Sequence, residues 1–198
     1  PKKPVKVVLF SEDKFPIIRF SPAIKSLNYL GNILAKTEAE KLGYFEPLFY
    51  NKDKIITECA IRNIFFIKDN FLLTPSLDIG VLPGIMRSVI INLAKKNNLK
   101  ISECHINKNS LNSMDEAFLS STGVGLIPCY WDGWKSDFTI SKILKKELLK
   151  SINNSLFMNM KPALLTPETM SIKGFDLLEK IQDDFIGLDT KYKLADGT

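Results

Sequence analysis

Apolar residues cluster along the chain at spacings of two and of three to four. These spacings predict a succession of short strands broken by three helices. Residues 5–10 (VKVVLF) read as a strand that begins almost at once. Residues 11–24 form a loop with two prolines and a short extended piece at Ile17-Ile18. From 26 to 42, Leu27, Leu30, Ile33 and Leu34 fall on one face of a predicted helix, which Gly43 stops. Strands are expected over 45–50 and 55–58, with the polar turn Asn51-Lys52-Asp53-Lys54 between them. The continuous run Ile64-Phe65-Phe66-Ile67 is the pattern of a strand buried on both faces. Asp69-Asn70 folds it into a hairpin with Phe71-Leu72-Leu73. After a loop at 74–83, a second helix is predicted over 84–96, with Lys95 and Lys96 at its cation-favouring end. A strand at 100–106, a helical turn at 111–114, and strands at 116–119 and 126–129 precede a third helix over 140–153.

Composition narrows the class. At 198 residues, 45% hydrophobic and 25% charged, the chain has the make-up of a globular protein with a sizeable core. No run of about 20 apolar residues is available to span a bilayer. The opening Pro-Lys-Lys-Pro has no apolar signal region behind it. The 27 basic and 22 acidic residues give +5, with lysines spread along the chain rather than gathered into a stripe. No nucleic-acid partner and no membrane partner are therefore expected. Cys59, Cys104 and Cys129 are isolated and odd in number, with no metal spacing. Buried thiols, no metal site and a cytoplasmic setting are expected. The single histidine, His105, sits in an alternating strand pattern, which argues against Ser-His-Asp and Cys-His catalysis. Because residue 1 is not Met and a strand follows at once, the chain is expected to begin inside a larger protein.

Three features could carry chemistry. Lys25 stands where an apolar loop meets an apolar helix face. Such a lysine is either partly desolvated, which makes its amine nucleophilic, or a surface residue whose stem covers apolar surface. Gly84, in Leu82-Pro83-Gly84-Ile85-Met86-Arg87, opens a helix whose first N–H groups are free to meet a phosphate, or else marks an ordinary helix entry. Ser120-Ser121-Thr122-Gly123 offers hydroxyls and close backbone approach, or is simply a tight turn. Glu58, at a strand edge, needs a cation or a protonated partner if it points inward. An amine, an inward carboxylate and two phosphate-type loops suggest pyridoxal 5'-phosphate.

Four segments in order carry a resemblance: IKSLNYL (24–30), TECAIRNIF (57–65), LPGIMR (82–87) and DEAFLSST (115–122). Together they resemble the class IV aminotransferase family of branched-chain and D-amino acid aminotransferases and 4-amino-4-deoxychorismate lyases. The resemblance covers residues 20 to about 153. It implies an α/β fold: the C-terminal domain of that family, a mixed sheet forming a pseudo-barrel with flanking helices. The expected cofactor-binding domain is 1–156, with the family's N-terminal domain absent. Residues 157–198, with one amphipathic segment at 175–185, read as a linker, a tail or the start of another unit.

By this resemblance, Lys25 matches the Schiff-base lysine and Glu58 the carboxylate on the pyridine nitrogen. Ile85 and Met86 match backbone donors to the phosphate, beside Gly84. Thr122 matches a hydroxyl and N–H donor to the same group, and Leu82 the apolar residue on the ring face. Tyr29 and Asn63 fall at familiar positions; Arg62, at a variable position of its motif, either touches an anionic substrate or faces solvent, and Gly123 is a further substrate candidate. Met86 stands where the family often has Thr, and Trp131-Asp132-Gly133-Trp134 replaces the glycine-rich loop of many transaminases. Both departures lean slightly toward the lyase, which yields 4-aminobenzoate for folate synthesis. The alternatives are a branched-chain or D-amino acid transaminase, or an incomplete fragment that only binds cofactor. The implied partners are a small amino substrate, the N-terminal domain and a second subunit in a homodimer.

Overall fold

The computed structural model describes residues 3–20 and 23–159, with side chains to residue 153. The chain divides into a compact unit, Pro1–Ser151, and a second unit, Ile152–Thr198. Of the second, only the helix to Asn159 is described, so the expected amphipathic segment at 175–185 lies outside the described residues.

Eight strands make one sheet: β1 (Val5–Ser11), β2 (Glu46–Tyr50), β3 (Ile56–Cys59), β4 (Asn63–Lys68), β5 (Phe71–Pro75), β6 (Lys100–Cys104), β7 (Glu116–Ser121) and β8 (Gly125–Tyr130). Their spatial order is β3-β2-β1-β8-β7-β4-β5-β6. The sheet is mixed: β1 runs parallel to β2 and β8, β5 parallel to β6, and the remaining pairs are antiparallel. It also curls until its two edges meet. The Ile56 amide donates to the Ile106 carbonyl at 2.8 Å and the Lys108 amide to the Lys54 carbonyl at 2.8 Å. This is the α/β pseudo-barrel with flanking helices that the sequence leads one to expect.

Burial follows from strand alternation. In β4, Ile64 and Phe66 join the core that also holds Val7, Leu48, Leu119 and Ile127. Phe65 and Ile67 face the other way, against the helices α2 (Ile85–Lys96) and α3 (Thr139–Asn159). Asp69 and Asn70 both take left-handed backbone, φ 47° and 62°, as a tight two-residue hairpin requires. Glu116 is buried yet satisfied. It accepts from the Ile140 amide, the Ser141 amide and the Ser141 hydroxyl at 2.7, 2.7 and 2.6 Å, capping the start of α3.

The first helix differs from its sequence pattern. Helix α1 spans Leu30–Lys41, not 26–42, and Leu27, Leu30, Ile33, Leu34 and Leu42 are exposed. It packs instead through Gly31, Asn32, Ala35 and Ala39. The reason is the closeness of the contact: a Cβ at Gly31 would stand 2.3 Å from the Pro16 carbonyl oxygen. Small residues win the buried face because the backbone approaches so closely, and large aliphatic ones cannot enter it. His105 lies just past β6, exposed, with Nε2 2.8 Å from Asp78, rather than within a strand. Cys59 and Cys129 are buried, and Cys104 is only partly so.

Candidate active site

A pocket forms where the loop before α1 crosses the ends of β3 and β4. Lys25, Tyr29, Glu58, Arg62 and Leu82 line it, together with Arg19. The strand turn brings this about. The Cys59 amide bonds the Arg62 carbonyl, which folds β3 back into β4 and sets Glu58 and Asn63 on either flank. Two further contacts pin that turn. Asn32 of α1 donates to the Ala60 carbonyl at 2.9 Å, and the Ile61 amide donates to the buried Glu46 carboxylate at 2.7 Å.

Glu58 is the best-held group in the pocket. One carboxylate oxygen meets the Arg19 guanidinium. The other accepts from the Leu82 amide and the Asn63 side-chain amide, both at 3.3 Å. Burial pushes its carboxyl above the ordinary glutamate value, and Arg19 and the Leu82 N–H oppose that shift. Arg19 also reaches Glu12 at 2.6 and 2.9 Å and the Thr57 hydroxyl at 3.1 Å, and Thr57 donates to Glu12 at 2.6 Å. One cation thus serves two carboxylates. Burial, and then the nearby Glu58 charge, raise the Tyr29 phenol above its ordinary value.

Asn63 joins the pocket to α2. Its side-chain amide donates to the Leu82 carbonyl at 3.0 Å, and a Cβ at Gly84 would stand 2.3 Å from its Oδ1. Glycine is needed there for space. Gly84 caps α2 without any side-chain hydrogen bond to the first turn. Ile85 and Met86 therefore begin a helix with no side-chain cap on its N–H groups. Neither residue lines the pocket, and neither do Thr122 and Gly123. Thr122 and Gly123 are exposed in the β7–β8 turn. That turn and α2 belong to the same end of the sheet: Asn63 pairs in register with Ser120, two residues before Thr122, and α2 packs on β7. The Ser120 hydroxyl there is sealed from solvent with no hydrogen-bond partner.

Lys25 itself is exposed at the pocket's edge, five residues ahead of α1 rather than at its first turn. Arg62 has one guanidinium nitrogen on the buried Glu46 and its face over the Phe45 ring, 4.8 Å from the centroid. Arg87 of the LPGIMR segment serves the fold: it is buried and bonds the Pro75 carbonyl at 3.0 Å and Glu103 at 2.7 Å. The sequence reading missed Arg19, Glu12 and Thr57. The one available signal was a lone arginine between Ile18 and Phe20.

Comparison with known proteins agrees with this geometry. A family model for aminotransferase class IV matches residues 1–130, and the chain belongs to that family. Over 105 residues it is 42% identical to D-alanine aminotransferase of Listeria monocytogenes, covering 53% of this chain and 36% of that one. Over 101 residues it is 38% identical to branched-chain-amino-acid aminotransferase of Salmonella typhimurium, covering 51% and 33%. Among solved structures, it superposes on the putative 4-amino-4-deoxychorismate lyase of Legionella pneumophila with a TM-score of 0.66 and 27% identity, covering 76% and 57%. Branched-chain amino acid aminotransferase of Escherichia coli gives 0.64 and 27%, covering 75% and 52%. The matches span about a third of the curated relatives' length and about half of the solved chains'. Among the described residues no helix is long and apolar enough to cross a membrane, and no cluster of three or more His, Cys, Asp or Glu could hold a metal ion.

Proposed function

We propose that this chain is the cofactor-binding part of a pyridoxal-phosphate-dependent enzyme acting on the amino group of a small substrate. The observation that carries the reading is the shared pocket: an amine, Lys25, and a largely buried carboxylate, Glu58, line one cavity. The residues fit the cofactor. Glu58 has lone pairs left beyond its present donors and suits a protonated ring nitrogen. The uncapped start of α2 at Ile85 and Met86, the neighbouring Thr122 and the partnerless Ser120 hydroxyl suit a phosphate. Leu82 would lie against the ring, with Gly84 giving room beside it.

When bound, the cofactor supplies an electron sink for charge that develops at the substrate's α-carbon. The chain's own residues do the rest. Lys25 would hold the cofactor through its amine and, once the substrate's amino group has taken that place and freed it, would take a proton from the α-carbon as general base. Glu58, whose ionised form Arg19 and the Leu82 N–H favour against burial, would meet the ring nitrogen and favour its protonated form. Tyr29 lies in the same pocket, with its phenol held protonated.

The reaction we read first is transamination of an amino acid, because relatives at 42% and 38% identity are named aminotransferases. The second reading is the 4-amino-4-deoxychorismate lyase. Met86, the short Trp131–Trp134 hairpin and the likeness to the Legionella protein favour it. Product analysis separates them. Amino transfer to 2-oxoglutarate supports the first, and pyruvate release from aminodeoxychorismate supports the second. Cofactor binding with neither product would support a binding-only fragment. We further propose a homodimer that also needs the family's N-terminal domain, acting in the cytoplasm. The exposed Leu30, Ile33 and Leu34 of α1, with Leu27 in the loop before it, make an apolar surface suited to such contacts.

A further inference from the structure

We propose that the chain carries a second binding site, for a flat aromatic carboxylate, at the end of the barrel away from Glu58. The site is independent of the cofactor reading.

A cavity of about 480 Å³ opens beside the Trp131–Trp134 hairpin, a size usual for small-molecule sites. It shares no lining residue with the pocket of Lys25 and Glu58. Strand β1 carries the chain from Lys6, in this cavity, to Ser11, next to Glu12 and the Arg19 network. At ~3.3 Å per residue that separation is roughly 17 Å.

The walls are aromatic and fixed. Trp131 and Trp134 line the cavity from its buried side, stacked with ring centroids 4.0 Å apart and planes 6° from parallel. Their N–H groups are already used: Trp131 donates to the Asn112 side chain at 2.9 Å and Trp134 to the Met114 carbonyl at 3.1 Å. Half-buried Tyr130 continues the wall and pairs in register with Lys6.

The polar part of a ligand therefore falls to the charged groups, Lys6, Asp132 and Lys135. Asp132 accepts from Lys6 Nζ at 2.5 Å and from the Tyr44 hydroxyl. That pair holds the hairpin tip against β1 and cancels one charge of each sign. Lys135 is left over. It is exposed, lies over the Tyr130 ring at 5.6 Å from the centroid, and makes no ion pair among the described residues. One unpaired ammonium beside aromatic walls suits an anionic group carried on a flat ring. A cationic ligand would face Lys135 with the only lining carboxylate already engaged, and an aliphatic anion would leave the aromatic wall unused.

The chain has two tryptophans and both line this cavity, so their indole N–H signals report on it directly. The test is an NMR titration of the whole chain, without pyridoxal phosphate, using 2-naphthoate and its neutral twin 2-naphthamide. 2-Naphthoate should shift both indole signals saturably. It should bind about two- to fivefold tighter than the amide, the preference that an exposed ion pair gives. High salt should remove most of that preference. Lys135→Met should bring 2-naphthoate down to the affinity of the amide, and because Lys135 is exposed the variant should fold. Absence of a saturable indole shift with 2-naphthoate would overturn the proposal. So would equal affinity for the two probes in wild type, or an unchanged preference in Lys135→Met. Failure to bind pyridoxal phosphate, measured separately, would count against the cofactor reading alone.

Discussion

The side-chain amide of Asn63 donates to the Leu82 carbonyl at 3.0 Å and so ties the first residue of β4 to the loop that enters α2. The same amide touches Glu58 at 3.3 Å. One residue thus couples the carboxylate end of the site to the helix end.

Asn63→Ala should leave the Leu82 carbonyl and one Glu58 oxygen short of a donor. The expected loss is about 1–3 kcal/mol of stability, with weaker pyridoxal-phosphate binding. Gly84→Ala should cost stability as well, because its Cβ would press on Asn63 Oδ1. The two losses should be less than additive when combined, since removing the amide relieves the clash. Denaturation curves and cofactor titration of the three variants check this.

Arg19 stabilises a buried anion, so its removal should depend on pH. Burial holds the Glu58 carboxyl above its ordinary value, and Arg19→Met should move its titration higher still. With the folded value raised, the ionised form is what costs stability. The penalty is therefore absent in acid and grows as pH rises through the folded value. Arg19→Met should destabilise by about 3–5 kcal/mol near pH 7, and by much less below about pH 4. Urea denaturation across that range, with carboxyl carbon NMR of Glu58, reads both effects. A penalty independent of pH would show that Arg19 acts through packing.

Glu116 should matter to the fold and not to the site. It caps α3 with two backbone amides and a hydroxyl. Glu116→Ala should cost about 2–3 kcal/mol while cofactor affinity per folded molecule stays constant.

Thiol labelling tests the core. Burial raises the Cys59 and Cys129 thiols well above their ordinary value, while Cys104 is only partly buried. Ellman's reagent should label Cys104 alone in the native chain and all three cysteines in denaturant. Rapid native labelling of Cys59 or Cys129 would contradict the barrel packing.

Much of this was legible in the sequence. The β4–β5 hairpin follows from two turn residues that tolerate left-handed backbone, and helix α2 from its spacing and its lysine-rich end. The pocket's lysine, tyrosine, glutamate and leucine were found through ordered segments. What stayed hidden has physical causes. The α1 stripe misleads because backbone closeness at Gly31 decides which face is buried, and periodicity carries no distance. Arg19 was invisible because its partners, Glu12 and Glu58, lie 7 and 39 residues away. The α2 start and the Thr122 turn meet only through the register of Asn63 with Ser120, which no local pattern encodes.

Replacing Glu58 by Gln should spare cofactor binding and slow turnover by orders of magnitude in a catalytically competent form, because the ring nitrogen loses its charged partner.

The most direct measurement is borohydride reduction of the chain incubated with pyridoxal phosphate, followed by peptide mass analysis. The account predicts one phosphopyridoxyl group on Lys25, and none at that site in Lys25→Ala, which should also lose the visible absorbance of the bound cofactor. Stoichiometric labelling of a different lysine, or an undiminished absorbance band in Lys25→Ala, would contradict it.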